Sequence, residues 1–208
     1  DTITGGAGGD ALTGGGGSDT YVYNGTADLN ASESITELAV AGTDVISVTA
    51  DTNFANLTVA SFNQIEEIKL AGAITATFTG AQLTGETKSL VGATGTVQNI
   101  VVTAVAGGTT NLSAFTAGTN FTSGTDTVTV NGSAGNEVIT GTAAADTINT
   151  GNGVDTVNAA TGALVTADTV TGGTGAQTLV ITAADTGIVD ANFTNVTLFE
   201  TLTLTGAS

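Results

Sequence analysis

The sequence predicts an all-β protein: a parallel β-roll or β-solenoid built on glycine-rich nonapeptide repeats, with Thr-rich β spacer strands. Three observations predict it. Asp1, Asp10 and Asp19 fall nine residues apart, each followed two places on by an apolar residue, Ile3, Leu12 and Tyr21. The chain of 208 residues has 30 glycines, no proline and only 4% aromatics. So few large side chains cannot fill a thick core, but small residues can stack in rows along a repetitive β-architecture whose ladders no proline interrupts. Elsewhere threonine alternates with apolar residues, the pattern of half-buried strands.

Residues 1–23 form the first nonapeptide block. It reads DTIT, then GGAGGDALT (Gly5 to Thr13), then GGGGSDTYV (Gly14 to Val22). Gly5, Gly6 and Gly8, and again Gly14, Gly15 and Gly17, supply turns that need unusual backbone angles and close backbone approach. Three residues of strand follow each turn, with the middle one facing inward. Stacking the turns piles Asp1, Asp10 and Asp19, with turn carbonyls, along the edges of the stack. Hard oxygen donors of this kind suit calcium, which takes six to eight oxygens at about 2.3–2.6 Å. A flexible linker has no reason to hold an aspartate and an apolar residue in phase.

The pattern is G-G-x-G-x-D-x-U-x, the nonapeptide of calcium-binding parallel β-helices. It resembles the repeats-in-toxin (RTX) family of secreted calcium-binding proteins. That resemblance implies that successive turns alternate sides, so Asp1 and Asp19 share one edge and Asp10 lies on the other. It also implies export through a type I secretion channel.

Residues 24–72 read as a connector with short strands, in which Ile35, Leu38, Val40, Val45, Ile46 and Val48 are the apolar set. Asp28, Glu33, Glu37 and Asp44 read as turn or edge acids: either solvated surface groups or caps on the last calcium turn. FNQIEEIKLAG (Phe62 to Gly72) carries the inward residues Ile65, Ile68 and Leu70, while the adjacent Glu66 and Glu67 point to opposite faces. Residues 73–131 form a Thr-rich β spacer with strands in ITATFT, VQNIVVTAV and TDTVTVNG, either continuing the solenoid or forming a separate sandwich.

A second, degenerate block covers 132–181. GSAGNEVIT has Gly135 and Glu137, GTAAADTIN has Asp146, and TGNGVDTVN has Gly151, Gly153 and Asp155. Asp168 then leads into GGTGAQTLV, where Gln177 holds the aspartate position. The pairing rule places Glu137 and Asp155 on one edge. Lost glycines and the Glu and Gln substitutions predict fewer or weaker calcium sites here. Residues 182–208 repeat the connector strands: LFETLTLTG (Leu198 to Gly206) matches the Glu66 region, and GAQTLVITA (Gly175 to Ala183) matches GTDVISVTA (Gly42 to Ala50). The chain opens inside a nonapeptide and closes on an uncapped strand, which predicts a segment of a longer protein.

Nineteen acidic residues against two lysines give a net charge of −17, with no arginine and no histidine. Such a surface cannot neutralise nucleic-acid phosphates. It opposes its own compaction, and bound divalent cations relieve that. The absence of cysteine and histidine removes disulfides and the usual zinc sites. No apolar run is long enough to span a bilayer. Without His, Cys or Arg, and with carboxylates explained by a nine-residue period, the sequence does not read as an enzyme. The expectation is a calcium-dependent structural module of a secreted or surface-layer protein at the bacterial cell surface, folding and self-associating, end to end or as a lattice, on extracellular calcium. Two alternatives stand beside it: an adhesin module binding ice or carbohydrate through its Thr ladders, and an RTX segment attached to a secreted hydrolase.

Overall fold

The computed structural model describes residues 1–29, 32–38, 42–159, 164–182 and 188–205. Val40, Ala183 and Gly206, which belong to the sequence patterns above, lie outside the described residues. Every strand pairing is parallel. The chain winds as a solenoid, and the Thr-rich spacer continues it.

Three walls form the coil. The first stacks Thr2–Ile3, Thr20–Tyr23, Val45–Val48, Glu67–Leu70, Lys88–Val91 and Phe115–Ala117. The second runs from Thr52–Asn53 through Thr75–Thr79, Asn99–Thr103, Thr127–Ser133, Asp146–Gly151 and Thr169–Thr171 to Val196–Thr197. The third begins as the pair Ala11–Thr13 and Ser34–Thr36 and continues through two helical turns, Val59–Phe62 and Gly80–Leu83. It resumes as Thr109–Asn111, Val138–Thr140, Thr156–Ala159, Thr178–Thr182 and Thr201–Thr205. The cross-section therefore changes along the axis. Up to Val48 the chain alternates between the first and third walls, from Thr52 to Ala117 it uses all three, and from Thr127 onward it alternates between the second and third.

Side-chain alternation sets what fills the coil. In Thr75–Thr79 the threonines face outward while Ala76 and Phe78 are buried, and the register puts Ile100 and Val102, then Val128 and Val130, beside them. The three-walled section encloses a wider interior and takes the large side chains. Four of the seven phenylalanines (Phe54, Phe62, Phe78 and Phe115) lie there and are buried. Phe54 stacks on Phe78 with centroids 4.8 Å apart, and Phe62 and Tyr23 meet Phe54 edge-on. Such pairs add about 0.5–1.5 kcal/mol beyond their buried area. The two-walled ends are filled by Tyr21, Ile46, Val157, Leu179 and their like.

Candidate metal centre

Each nonapeptide places its acid where turn passes into strand, so parallel stacking brings the acids of successive rungs into columns. On the first wall Thr2 pairs with Thr20, Thr20 with Val45, and Val45 with Glu67. This aligns Asp1, Asp19, Asp44 and Glu66. The Asp1 amino nitrogen donates to Asp19 Oδ1 at 2.6 Å, Asp19 N–H to Asp44 Oδ1 at 2.8 Å, and Asp44 N–H to Glu66 Oε2 at 2.7 Å. Each of these carboxylates thus caps the backbone nitrogen of the acid one rung before it. Asp10 lies in the other column, where its N–H donates to Glu33 Oε2 at 2.9 Å.

The second block builds the same device on the third wall. Gly107 N–H donates to Glu137 Oε1 at 2.7 Å, Glu137 N–H to Asp155 Oδ1 at 2.9 Å, Asp155 N–H to Gln177 Oε1 at 3.1 Å, and Gln177 N–H to Glu200 Oε2 at 2.6 Å. On the second wall Asp146 N–H donates to Asp168 Oδ1 at 2.8 Å. The internal repeat is therefore longer than the strand similarity alone reveals. Asp1, Asp10, Asp19, Glu33, Asp44 and Glu66 correspond in order to Glu137, Asp146, Asp155, Asp168, Gln177 and Glu200.

The turns differ between the copies. In the first, Gly6, Gly8, Gly15 and Gly17 hold φ of +80°, +148°, +95° and +107°, values open to glycine. A methyl group at Gly5 would stand 2.8 Å from Asp10 Oδ2, and one at Gly14 would stand 2.6 Å from Asp19 Oδ2 and closer still to Glu37 Oε1. The glycines thus leave cradles over which carboxylate oxygens hang. Asp10 Oδ2 and Asp19 Oδ2 are buried there without a hydrogen-bond partner, and Glu37 Oε2 is buried without one as well. A buried charged oxygen left unpaired is costly, and a bound cation removes that cost.

In the second copy Gly151 and Gly153 keep positive φ, +81° and +128°, and Asp155 Oδ2 is likewise without a partner. The other oxygens are closed by protein donors. Thr142 stands where the first copy has Gly6, and its N–H and hydroxyl reach Asp146 Oδ2 and Oδ1 at 2.7 and 2.9 Å. Val165 N–H donates to Asp168 Oδ2 at 2.6 Å. Burial, then the neighbouring Asp168 charge, pushes the Asp146 carboxyl up to about 8, and burial pushes Asp168 up to about 6. Burial also raises Glu137, but hydrogen bonds from the Ser133 hydroxyl and from the Gly107 and Ser133 amides outweigh it and hold that carboxyl below the usual range. Gln177 supplies an acceptor to Asp155 N–H and sends its amide nitrogen to the Gly153 carbonyl at 3.0 Å. Gly135 is in close approach: a methyl there would stand 2.6 Å from Gly107 N and 2.8 Å from Glu137 Oε1.

A family model, the RTX calcium-binding nonapeptide repeat in four copies, matches residues 1–29 and 131–163. The chain carries RTX calcium-binding repeats. RTX repeats bind calcium ions and occur in secreted bacterial proteins. No curated protein and no solved structure matches the chain significantly. The orphaned oxygens of Asp10, Asp19 and Asp155, each over or beside a glycine turn, fit the ion these repeats take.

The sequence left Glu33, Glu37 and Asp44 open between solvated surface acids and caps on the last calcium turn. Glu33 and Asp44 are buried, and Glu37 is half-buried with Oε1 accepting from the Tyr21 hydroxyl. Burial, then Glu37, drives the Tyr21 phenol above its usual range, and burial followed by Glu33 does the same to Tyr23. Glu66 and Glu200 end the two ladders. The signal available was an acid directly before each apolar strand, at intervals of 22–25 residues once nine had lapsed. Lys88 occupies the position after Glu66 on the first wall, fully buried, with Nζ donating to the Phe62 carbonyl and to Glu86 Oε2, both at 2.9 Å.

Proposed function

We propose that this chain is a calcium-dependent structural module of a secreted or surface-layer protein, which folds on meeting extracellular calcium and then assembles end to end or as a lattice. The observation that carries this reading is the set of buried, unpartnered carboxylate oxygens over glycine cradles in a chain of net charge −17. In the first block Asp1, Asp10 and Asp19 supply the carboxylates, and the turns of Gly5, Gly6, Gly8 and Gly14, Gly15, Gly17 supply the approach. In the second, Asp155 and Glu137 do so with Gly135, Gly151 and Gly153, while Asp146 and Asp168 close their edge with protein donors.

Binding confined to the folded state adds RT ln(1 + [L]/Kd) to folding free energy. Extracellular modules bind calcium at about 10⁻⁴–10⁻³ M. Inside a cell such sites stay empty and the acidic chain repels itself; outside, they fill. No helix among the described residues is long and apolar enough to cross a membrane. The segments 1–23, 24–72, 73–131, 132–181 and 182–208 then serve as calcium block, connector, spacer, second block and second connector. Calcium titrated into chelator-treated protein, followed by far-UV circular dichroism with magnesium as control, tests the reading. A reversible coil-to-β change supports it, and an unchanged spectrum defeats it.

One observation favours a second reading, a surface-binding face. Outward residues of the second wall align in register as Thr77, Val101, Thr129, Thr147 and Thr169, and as Thr79, Thr103, Asn131, Asn149 and Thr171. Rungs about 4.8 Å apart make this a regular hydroxyl and amide lattice. Thermal hysteresis of the folded protein would support an ice-binding use, and its absence would leave the threonines as solubilising strand residues.

A further inference from the structure

The calcium reading concerns the nonapeptides, but the strongest grouping of acids reaches beyond them. We infer that Asp19, Glu37 and Asp44 together hold a calcium ion at the joint between the first nonapeptide block and the rung that follows it. This rests on the calcium reading of the repeats and adds a site they do not contain, because Glu37 and Asp44 lie outside the residues the repeat model matches.

The three carboxylates offer oxygens that all lie within 4.8 Å of one another. Calcium–oxygen distances of about 2.3–2.6 Å allow two ligands of one ion to stand up to about 5 Å apart. Asp19 is 1% exposed and Asp44 3%. Each acid has one oxygen engaged by protein: Asp19 Oδ1 by the Asp1 nitrogen, Asp44 Oδ1 by the Asp19 amide, and Glu37 Oε1 by the Tyr21 hydroxyl. Those bonds fix the side chains in place. Asp19 Oδ2 and Glu37 Oε2 are then left buried with no partner, and Asp19 Oδ2 and Glu37 Oε1 lie over the bare Cα of Gly14. Three carboxylates converging on one dry spot repel unless a cation lies among them.

The second half of the chain supplies an internal control. Register places Gly172 where Glu37 stands, since Thr36 pairs with Thr13 as Thr171 pairs with Asn149. Gln177 replaces Asp44, and Thr150 fills the Gly14 cradle. The Thr150 hydroxyl contacts Gln177 Oε1 at 3.4 Å and accepts from Gly173 N–H at 3.2 Å. Three positions change together, two acids become neutral, and the space for an ion is filled by a side chain. The hard-oxygen pocket therefore belongs to the first copy alone.

Terbium, a calcium substitute that emits when a nearby tyrosine is excited, is the probe. The chain has no tryptophan and two tyrosines; Tyr21 bonds to Glu37, and Tyr23 is its neighbour on the same strand. The expected result is tyrosine-sensitised emission that calcium displaces, with affinity lowered about tenfold or more in Glu37→Gln and in Asp44→Asn. Glu200→Gln, at the matching end of the other ladder, should leave it unchanged. Gly14→Ala, which puts a methyl among the ligands, should also abolish emission. Circular dichroism of each calcium-saturated variant reports folding separately. Unaltered terbium affinity in both Glu37→Gln and Asp44→Asn overturns the inference. So does an absence of sensitised emission while calcium still changes the circular dichroism, in which case the repeat reading stands. Emission without any calcium-driven folding would uphold the site and defeat the folding claim.

Discussion

Asp19 and Asp155 occupy the same place in two copies of one winding pattern, and each accepts from the backbone nitrogen of the acid one rung earlier. Above Asp19 the next residues of the pattern are Glu37 and Asp44; above Asp155 they are Gly172 and Gln177. Beneath them lies Gly14 in one copy and Thr150 in the other. The first copy ends in unpaired oxygens, and the second ends largely in hydroxyl and amide donors of its own. The ladder of acid to amide bonds is thus a property of the parallel stack, indifferent to metal. Demand for a cation is set by a few residues around each carboxylate: glycine leaves room for an ion, and threonine or glutamine takes the ion's place.

The comparison can be broken first at Gln177. Gln177→Ala strips partners from Asp155 N–H and the Gly153 carbonyl at a site with no exposure. Buried groups left unpaired cost about 1–3 kcal/mol each, so urea unfolding should show a loss of about 3 kcal/mol that calcium does not restore. Gln177→Glu sharpens the contrast: it restores a carboxylate and should make the second copy's stability rise with calcium. Gly141→Ala comes next. Its methyl would stand 3.1 Å from Asp146 Cγ and collide with Oδ2, costing about 1–3 kcal/mol in the same assay.

Proton linkage separates the copies more gently. Asp146 and Asp168 have carboxyls at about 8 and about 6 in the fold against about 3.9 in an unfolded chain. The folded state binds protons that the unfolded state has released, so this contribution is full below about pH 4 and is lost as pH rises toward 8. Thermal midpoints measured across that range should fall with rising pH, and Asp146→Asn should flatten the slope. Lys88→Met gives the smallest effect. It leaves the Phe62 carbonyl without its donor, and a calcium-independent loss of about 1–2 kcal/mol is expected by urea unfolding.

Much of the fold was legible because β-solenoids write their period into the chain. The nine-residue spacing of Asp1, Asp10 and Asp19 announced parallel stacking, and Thr2 does pair with Thr20. The alternation in ITATFT and TDTVTVNG announced strands with Ala76, Phe78, Val128 and Val130 inside. The site was only half legible. Glu33, Glu37 and Asp44 look like surface acids in a connector because their intervals are irregular. Only the three-dimensional register shows that Asp44 continues the column of Asp19 while Glu37 hangs over Gly14. The closure of Asp146 by Thr142 was hidden for a similar reason: a Gly-to-Thr change reads as decay of the motif, whereas the hydroxyl supplies the missing donor.

Segment-resolved amide hydrogen exchange, with calcium and after chelation, tests the central claim most directly. The account predicts that chelation strips protection from the strands between Thr2 and Leu70, where carboxylate oxygens lie unpaired, while Thr127–Ser133, Asp146–Gly151 and Thr178–Thr182 keep most of theirs. Equal loss in both halves, or full protection in both without calcium, would contradict it.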